Sequence, residues 1–127
     1  AVLDVKLKYI DKDNEVRKKI AKKYTLGITN PKIILPVNPK NEDEHVWHVF
    51  VVRTENRDHL QTYLSQHGIQ TIIHYPIPPH KQEAYKEWND LSFPISEKVH
   101  REIISLPISP VMETSDVEYV IKVINNY

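Results

Sequence analysis

Apolar residues recur at helical spacing through the first part of the chain, and this pattern predicts a long N-terminal helix over residues 1–26. Its opposite face is rich in lysine, which is typical of a solvated surface. The pattern is already running at Ala1, with no Ser, Thr, Asp or Asn before it to cap the helix, so we expect the chain to continue a longer protein. The apolar positions are Leu3, Leu7, Ile10, Val16, Ile20 and Tyr24.

Two segments have the β-branched and aromatic composition of strands. Residues 45–53 contain no Gly or Pro and predict a central strand, and residues 69–74 predict the next one. Between them, Thr54 or Asn56 caps a helix that ends at Gly68. A strand, a helix and a second strand form a βαβ-like unit, although the two strands need not be adjacent or parallel.

The rest of the chain alternates short helices with extended pieces. Together the elements predict an α+β fold, in which a small, mainly antiparallel sheet of three to four strands packs against several helices. No repeat or second-domain boundary interrupts residues 1–127, which we interpret as one domain. The remaining predicted elements are a strand or linker at 33–35, a helix at 82–88, a helix at 95–104 with Val99, Ile103 and Ile104 facing inward, an extended segment at 106–110, and a final helix capped by Thr114 or Ser115.

Charge and composition exclude several classes of function. The chain has 17 basic and 17 acidic residues, so no net field attracts nucleic acid or an acidic membrane. Cysteine is absent, which excludes disulfides and thiolate chemistry and fits a cytoplasmic protein. The two glycines, Gly27 and Gly68, each follow a helical pattern where a cap with positive φ is expected. None is left for a phosphate-binding loop, so we expect no bound phosphorylated cofactor.

The stretch from Thr71 to Tyr85 is the most informative part of the sequence. A β-branched run ends at His74 and Tyr75, three prolines stiffen the next four residues, and His80 and Tyr85 follow. Rigid backbone that carries polar rings presents hydrogen-bonding groups at fixed positions. This predicts a binding loop, with two simpler alternatives: His74 is only a satisfied polar group, and His80 only caps the following helix.

A metal site and a nucleophile are disfavoured. His45 and His48 are three apart on the predicted strand and so point to opposite faces, and His48 is expected to be a buried, hydrogen-bonded histidine. His74 and His80 have no nearby acidic cluster to complete a ligand set. No nucleophile elbow or comparable signature is present.

Read in order, the motifs resemble the C-terminal part of the DegT/DnrJ/EryC1/StrS family of pyridoxal-phosphate sugar aminotransferases. Each piece is weak alone, whereas the ordered set covers nearly the whole chain. The matching positions are residues 45–53, 57–60, Leu64, residues 68–71, residues 74–80, Gln82, Ala84, Tyr85, Phe93, Pro94, Glu97 and residues 105–110.

The resemblance implies that this chain is the small domain of a larger enzyme of the aspartate-aminotransferase fold type. In such enzymes a large N-terminal domain, which nothing here matches, holds the Schiff-base lysine and pyridoxal 5'-phosphate. The resemblance further implies a homodimer that transfers an amino group, typically from glutamate, to a keto-sugar nucleotide. His74, Tyr75, Pro76, His80 and Tyr85 would face that substrate, and this piece alone would bind no cofactor and be inactive.

The form His-Tyr-Pro-Ile-Pro-Pro-His is similar to that of family members acting on dTDP-linked 3-keto-6-deoxyhexoses. Two other interpretations remain open at the level of sequence. One is a free-standing α+β module that binds a small anion or sugar with the same loop. The other is a structural or dimerisation domain in which the loop is only a rigid connector.

Overall fold

The computed structural model describes residues 2–127 and has the predicted α+β architecture. The start of the predicted helix at Ala1 lies outside the described residues. The helices are α1 (Val2–Leu7), α2 (Ile10–Gly27), α3 (Arg57–Gln66), α4 (Pro94–Glu102) and α5 (Thr114–Asn125), and the strands are β1 (Phe50–Arg53) and β2 (Ile103–Leu106). Short 3-10 turns span Glu42–Glu44, Pro79–Lys81 and Glu83–Trp88.

The sheet has two strands, fewer than the three to four predicted. β1 and β2 pair antiparallel, with Phe50 opposite Leu106 and Val52 opposite Ile104. A single antiparallel bridge continues the ladder on each side, from Ile34 to β1 and from Ile72 to β2. The two flanking segments therefore lie where strands were predicted. Prolines follow each of them within four residues, and because proline lacks the backbone donor, it limits how far a ladder extends.

The strand predicted over residues 45–53 begins only at Phe50. Trp47 has a φ of 52°, a left-handed conformation that breaks an extended run. This turn places the Trp47 ring in the core, with its centroid 5.4 Å from that of Phe50. His48 consequently lies exposed in a bend, and the prediction of a buried histidine there is wrong.

The predicted N-terminal helix is divided into α1 and α2. From Ile20 onward the predicted apolar face of the helix packs against the core as expected, and Ile20, Ala21 and Tyr24 are buried. The apolar residues of α1 are all exposed, so the first part of the predicted apolar face, in α1, does not pack against the described core.

The core lies between α2, α3, α5 and the sheet. Burial raises the pKa of the Tyr24 phenol far above its usual value, and its hydroxyl donates to the Pro107 carbonyl at 2.7 Å. Gly27 does not have the positive φ that was predicted. It allows close approach of α5, because a Cβ there would come within 2.8 Å of Ile121. Gly68 has the predicted positive φ, 73°.

The helix predicted over residues 95–104 ends at Glu102. Ile103 turns to extended dihedrals, φ −74° and ψ 140°, and opens β2, whose four residues are all buried. The prediction that Ile103 and Ile104 face inward is correct, but they do so from a strand. Two adjacent β-branched residues favour that conformation.

Helix α5 begins at Thr114, and its N-cap is Glu113, so the prediction of Thr114 or Ser115 as the cap is wrong. Glu113 takes that position because it forms a capping box with Asp116. No helix within residues 2–127 combines the length and the apolar character needed to cross a membrane.

Candidate functional site

The His74–Tyr75 pair leaves the sheet edge and is held from two elements. The Nδ1 of His74 lies 2.9 Å from the Ser105 hydroxyl on β2. The carbonyl of Tyr75 lies 2.6 Å from the Nδ1 of His100 on α4. The two contacts hold the His74 ring and the Tyr75 backbone, whereas the Tyr75 side chain is 66% exposed. The next residue, Pro76, is also exposed, so the loop presents rings on a fixed backbone.

His80 is a buried anchor for the loop. It is 5% exposed, and its Nε2 lies 3.0 Å from the Glu97 carboxylate. Its ring also packs edge-on against Phe93, with centroids 4.8 Å apart. His80 is therefore buried and ties the loop to the first turn of α4. His80 lies within the Pro79–Lys81 3-10 turn, and the N-cap of the following Glu83–Trp88 turn is Gln82, so the alternative in which His80 only caps the following helix is wrong.

The ionised form of Glu97 is stabilised in this arrangement. The backbone N–H of Phe93 donates to its carboxylate at 2.9 Å, and this bond, followed by that from His80, lowers the pKa of Glu97. A carboxyl group with a lowered pKa in the folded state binds fewer protons there than in the unfolded chain. It therefore contributes stability above its unfolded pKa, and that contribution is lost as the pH falls through the folded pKa.

Replacing Glu97 with glutamine is expected to flatten the acid side of the stability profile. At pH values under about 4, the ordinary range of a glutamate pKa, the melting temperature of the wild-type protein should decrease more steeply with falling pH than that of the variant. Thermal melts between pH 3 and 7 measure this difference. Glu118→Gln, which removes an exposed carboxylate, is the matched control. Parallel profiles for wild type and Glu97→Gln would contradict the assignment.

Tyr85 forms a second exposed surface with Trp88. The two rings are stacked nearly parallel, 6° apart with centroids 4.9 Å apart, and both are partly exposed. The Asn89 amide supports them by donating to the carbonyls of His80 at 3.0 Å and Tyr85 at 3.1 Å. The buried anchor and the exposed ring pair are thus parts of one hydrogen-bonded segment.

The residues that hold the loop were not assigned that role from the sequence. Ser105 lies 31 positions from His74, and Glu97 lies 17 positions from His80. Both appear among the positions that carry the family resemblance, but no local pattern reveals their contacts. Trp88 and Asn89 follow Tyr85 closely, and only the folded geometry shows that one stacks on it and the other supports its backbone.

The described residues do not by themselves fit a pyridoxal phosphate site or a metal site. All lysines in residues 2–127 are exposed except Lys18, which pairs with Glu15 and Asp43 at 3.0 Å each. None is thus a buried amine set for a Schiff base. Over the same residues, no three His, Asp or Glu side chains lie close enough together to hold a metal ion.

The chain is similar in sequence to two transaminases whose names specify dTDP-linked amino sugars. The chain is 54% identical over its full length to dTDP-3-amino-3,6-dideoxy-alpha-D-galactopyranose transaminase of Aneurinibacillus thermoaerophilus, and covers 35% of that protein. It is 41% identical over 89% of its length to dTDP-3-amino-3,4,6-trideoxy-alpha-D-glucose transaminase of Streptomyces venezuelae, and covers 30% of it. The chain spans about a third of the length of the curated relatives it matches.

The fold is shared as well. The crystal structure of DesV from S. venezuelae, in complex with a ketimine intermediate, superposes with a TM-score of 0.91 and 38% identity. The match covers 98% of this chain and 34% of DesV. The model of the DegT/DnrJ/EryC1/StrS aminotransferase family matches residues 1–125. The chain therefore belongs to the DegT/DnrJ/EryC1/StrS aminotransferase family.

Proposed function

We propose that residues 1–127 form the small, substrate-facing domain of a pyridoxal-phosphate-dependent sugar aminotransferase. The whole enzyme would move an amino group, with glutamate as donor, onto a dTDP-linked 3-keto-6-deoxyhexose. Family membership supports the reaction class, and the names of the two dTDP-sugar transaminase relatives support the substrate class. The rest of the polypeptide would supply the cofactor-binding lysine, and the intact protein would be a cytoplasmic homodimer.

The observation that carries this proposal is the way the loop holds His74. Its Nδ1 is engaged by Ser105, and within the described residues its Nε2 has no hydrogen-bond partner. A half-buried imidazole with one nitrogen fixed and the other unpaired suits an oxygen of a ligand. Tyr75 and Pro76 continue the same surface.

The five residues expected at the substrate then divide into two roles. We expect His74, Tyr75, Pro76 and Tyr85 to face the nucleotide sugar; all four are at least partly accessible, which contact with a ligand requires. His80 acts through the backbone, because its Nε2 is already paired with Glu97. Pyridoxal phosphate supplies the electron-sink chemistry when it is bound by the rest of the enzyme. The 127-residue chain alone is therefore expected to be inactive.

Replacing His74 with alanine in the protein encoded by the complete reading frame tests the proposal. The half-reaction with the dTDP-keto sugar should slow in kcat/KM by about 10- to 100-fold if His74 contacts a phosphate oxygen, and by about 2- to 10-fold if it contacts a sugar oxygen. Hydrogen bonds to charged groups contribute about 1.5–3 kcal/mol, and those between neutral groups about 0.5–1.5 kcal/mol. The half-reaction with glutamate should be unchanged. Stopped-flow spectroscopy of each half-reaction separates the two.

His48→Ala is the matched control, because His48 is an exposed histidine in a bend before β1. It should leave both half-reactions at the wild-type rate. If His74→Ala also leaves sugar kinetics unchanged while wild type is active, the loop is a connector and the structural interpretation is favoured. If wild type does not aminate the dTDP-keto sugar at all, the proposed substrate class is wrong.

A further inference from the structure

Ser105 is the residue that fixes the ring of His74. It is 6% exposed, and its own backbone is held by hydrogen bonds in both directions with Ile72, at 2.8 and 3.4 Å. It also pairs with Val51 in the two-stranded ladder. The hydroxyl therefore sits at a position set by the sheet, 2.9 Å from the Nδ1 of His74.

The role of the other ring nitrogen follows from which partner donates in the contact between Nδ1 and the Ser105 hydroxyl. A neutral imidazole carries its proton on one nitrogen, and a serine hydroxyl is able to donate to the other. When Ser105 donates to Nδ1, the proton resides on Nε2, which becomes a hydrogen-bond donor. The same contact also fixes the rotation of the ring, so the donor is aimed before the ligand arrives.

We propose that Ser105 is a positioning residue whose hydroxyl holds His74 so that its Nε2–H donates to an oxygen of the nucleotide sugar. The acceptor belongs to one of two parts of that ligand, the diphosphate or the hexose. This inference rests on the proposed function, because it names how the same site presents its histidine. It assigns to Ser105 a role that depends on the presence of the His74 ring.

A double-mutant cycle in the protein of the complete reading frame tests the dependence. Wild type, Ser105→Ala, His74→Ala and the double variant are compared in kcat/KM for the dTDP-keto sugar. Ser105→Ala should lower that constant about five- to tenfold, the range expected for one lost neutral hydrogen bond. In the His74→Ala background, Ser105→Ala should change kcat/KM by less than about twofold, because the His74 ring that Ser105 contacts is already absent.

Three further measurements separate positioning from a structural effect. Ser105→Cys, which keeps the volume and a weaker donor, should recover part of the loss. Ser109→Ala, a half-buried serine four residues later whose hydroxyl accepts from Val111, should be neutral. The glutamate half-reaction should be the same in all variants, which also shows that each variant is folded.

Binding of dTDP alone identifies the acceptor. If the diphosphate is the acceptor, calorimetry should show Ser105→Ala weakening dTDP and dTDP-sugar equally. If the hexose is the acceptor, only the dTDP-sugar should weaken.

An equal effect of Ser105→Ala with and without His74, or no effect in either background, would overturn the inference even if wild type is fully active. An inactive wild type would instead point to failure of the proposed function.

Discussion

Replacing Phe50 with alanine is expected to lower the free energy of unfolding by about 3–5 kcal/mol, as for other buried phenylalanines. Phe50 is fully buried, and its ring lies 5.1 Å from that of Tyr24 and 5.4 Å from that of Trp47. Truncation would leave a cavity where α2 meets the sheet. Because single domains are stable by only about 5–15 kcal/mol, this is a large fraction of the total. Urea denaturation followed by circular dichroism measures it.

Val51→Ala is the matched control from the same strand. Val51 alternates to the other face of β1 and is only half-buried. Its truncation should cost about 1 kcal/mol, from two methyl groups that are already partly hydrated. Equal losses for Phe50→Ala and Val51→Ala would show that the core does not lie on the side of the sheet described above.

Elements with a long, regular period were predictable from the sequence. α3 and α5 lie where their apolar spacing places them, and Gly68 ends the first of these with the expected positive φ. The secondary-structure predictions are wrong where a tertiary contact overrides a local sequence pattern. Trp47 interrupts a strand-like sequence because its ring packs in the core beside Phe50. Residues from Ile103 onward are extended because they pair with β1.

The candidate site shows the same division. His74, Tyr75 and the prolines are neighbours in sequence, so the loop is visible as a local pattern of rings on stiff backbone. His80 pairs with Glu97, and the His74 ring contacts the Ser105 hydroxyl; both partners come from other elements. Sequence reasoning therefore identifies the residues of the loop, whereas only the fold separates those that face outward from those that hold it.

Replacing Arg53 with methionine is expected to destabilise the fold by about 2–3 kcal/mol, somewhat less than the loss typical of a fully buried ion pair. The Arg53 guanidinium donates to Glu102 through Nε at 3.2 Å and Nη2 at 2.8 Å, and the Glu102 side chain is only 8% exposed. Without Arg53 that carboxylate stays buried with Lys98, 3.7 Å away, as the remaining ion-pair partner. Urea denaturation of the variant measures the loss.

Glu102→Gln separates the buried charge from the lost packing. It leaves no carboxylate to bury, and the partly exposed Arg53 is able to turn toward water, so it should cost less than Arg53→Met. The double variant should then be more stable than Arg53→Met alone, because it removes the buried carboxylate that Arg53→Met leaves with only Lys98, 3.7 Å away, as a partner. A double variant less stable than Arg53→Met would contradict this explanation. The outcome also bears on the candidate site. Glu102 ends α4 directly before β2, and Ser105, which contacts His74, lies three residues later in β2. The ion pair therefore stabilises the junction between α4 and the strand that carries Ser105.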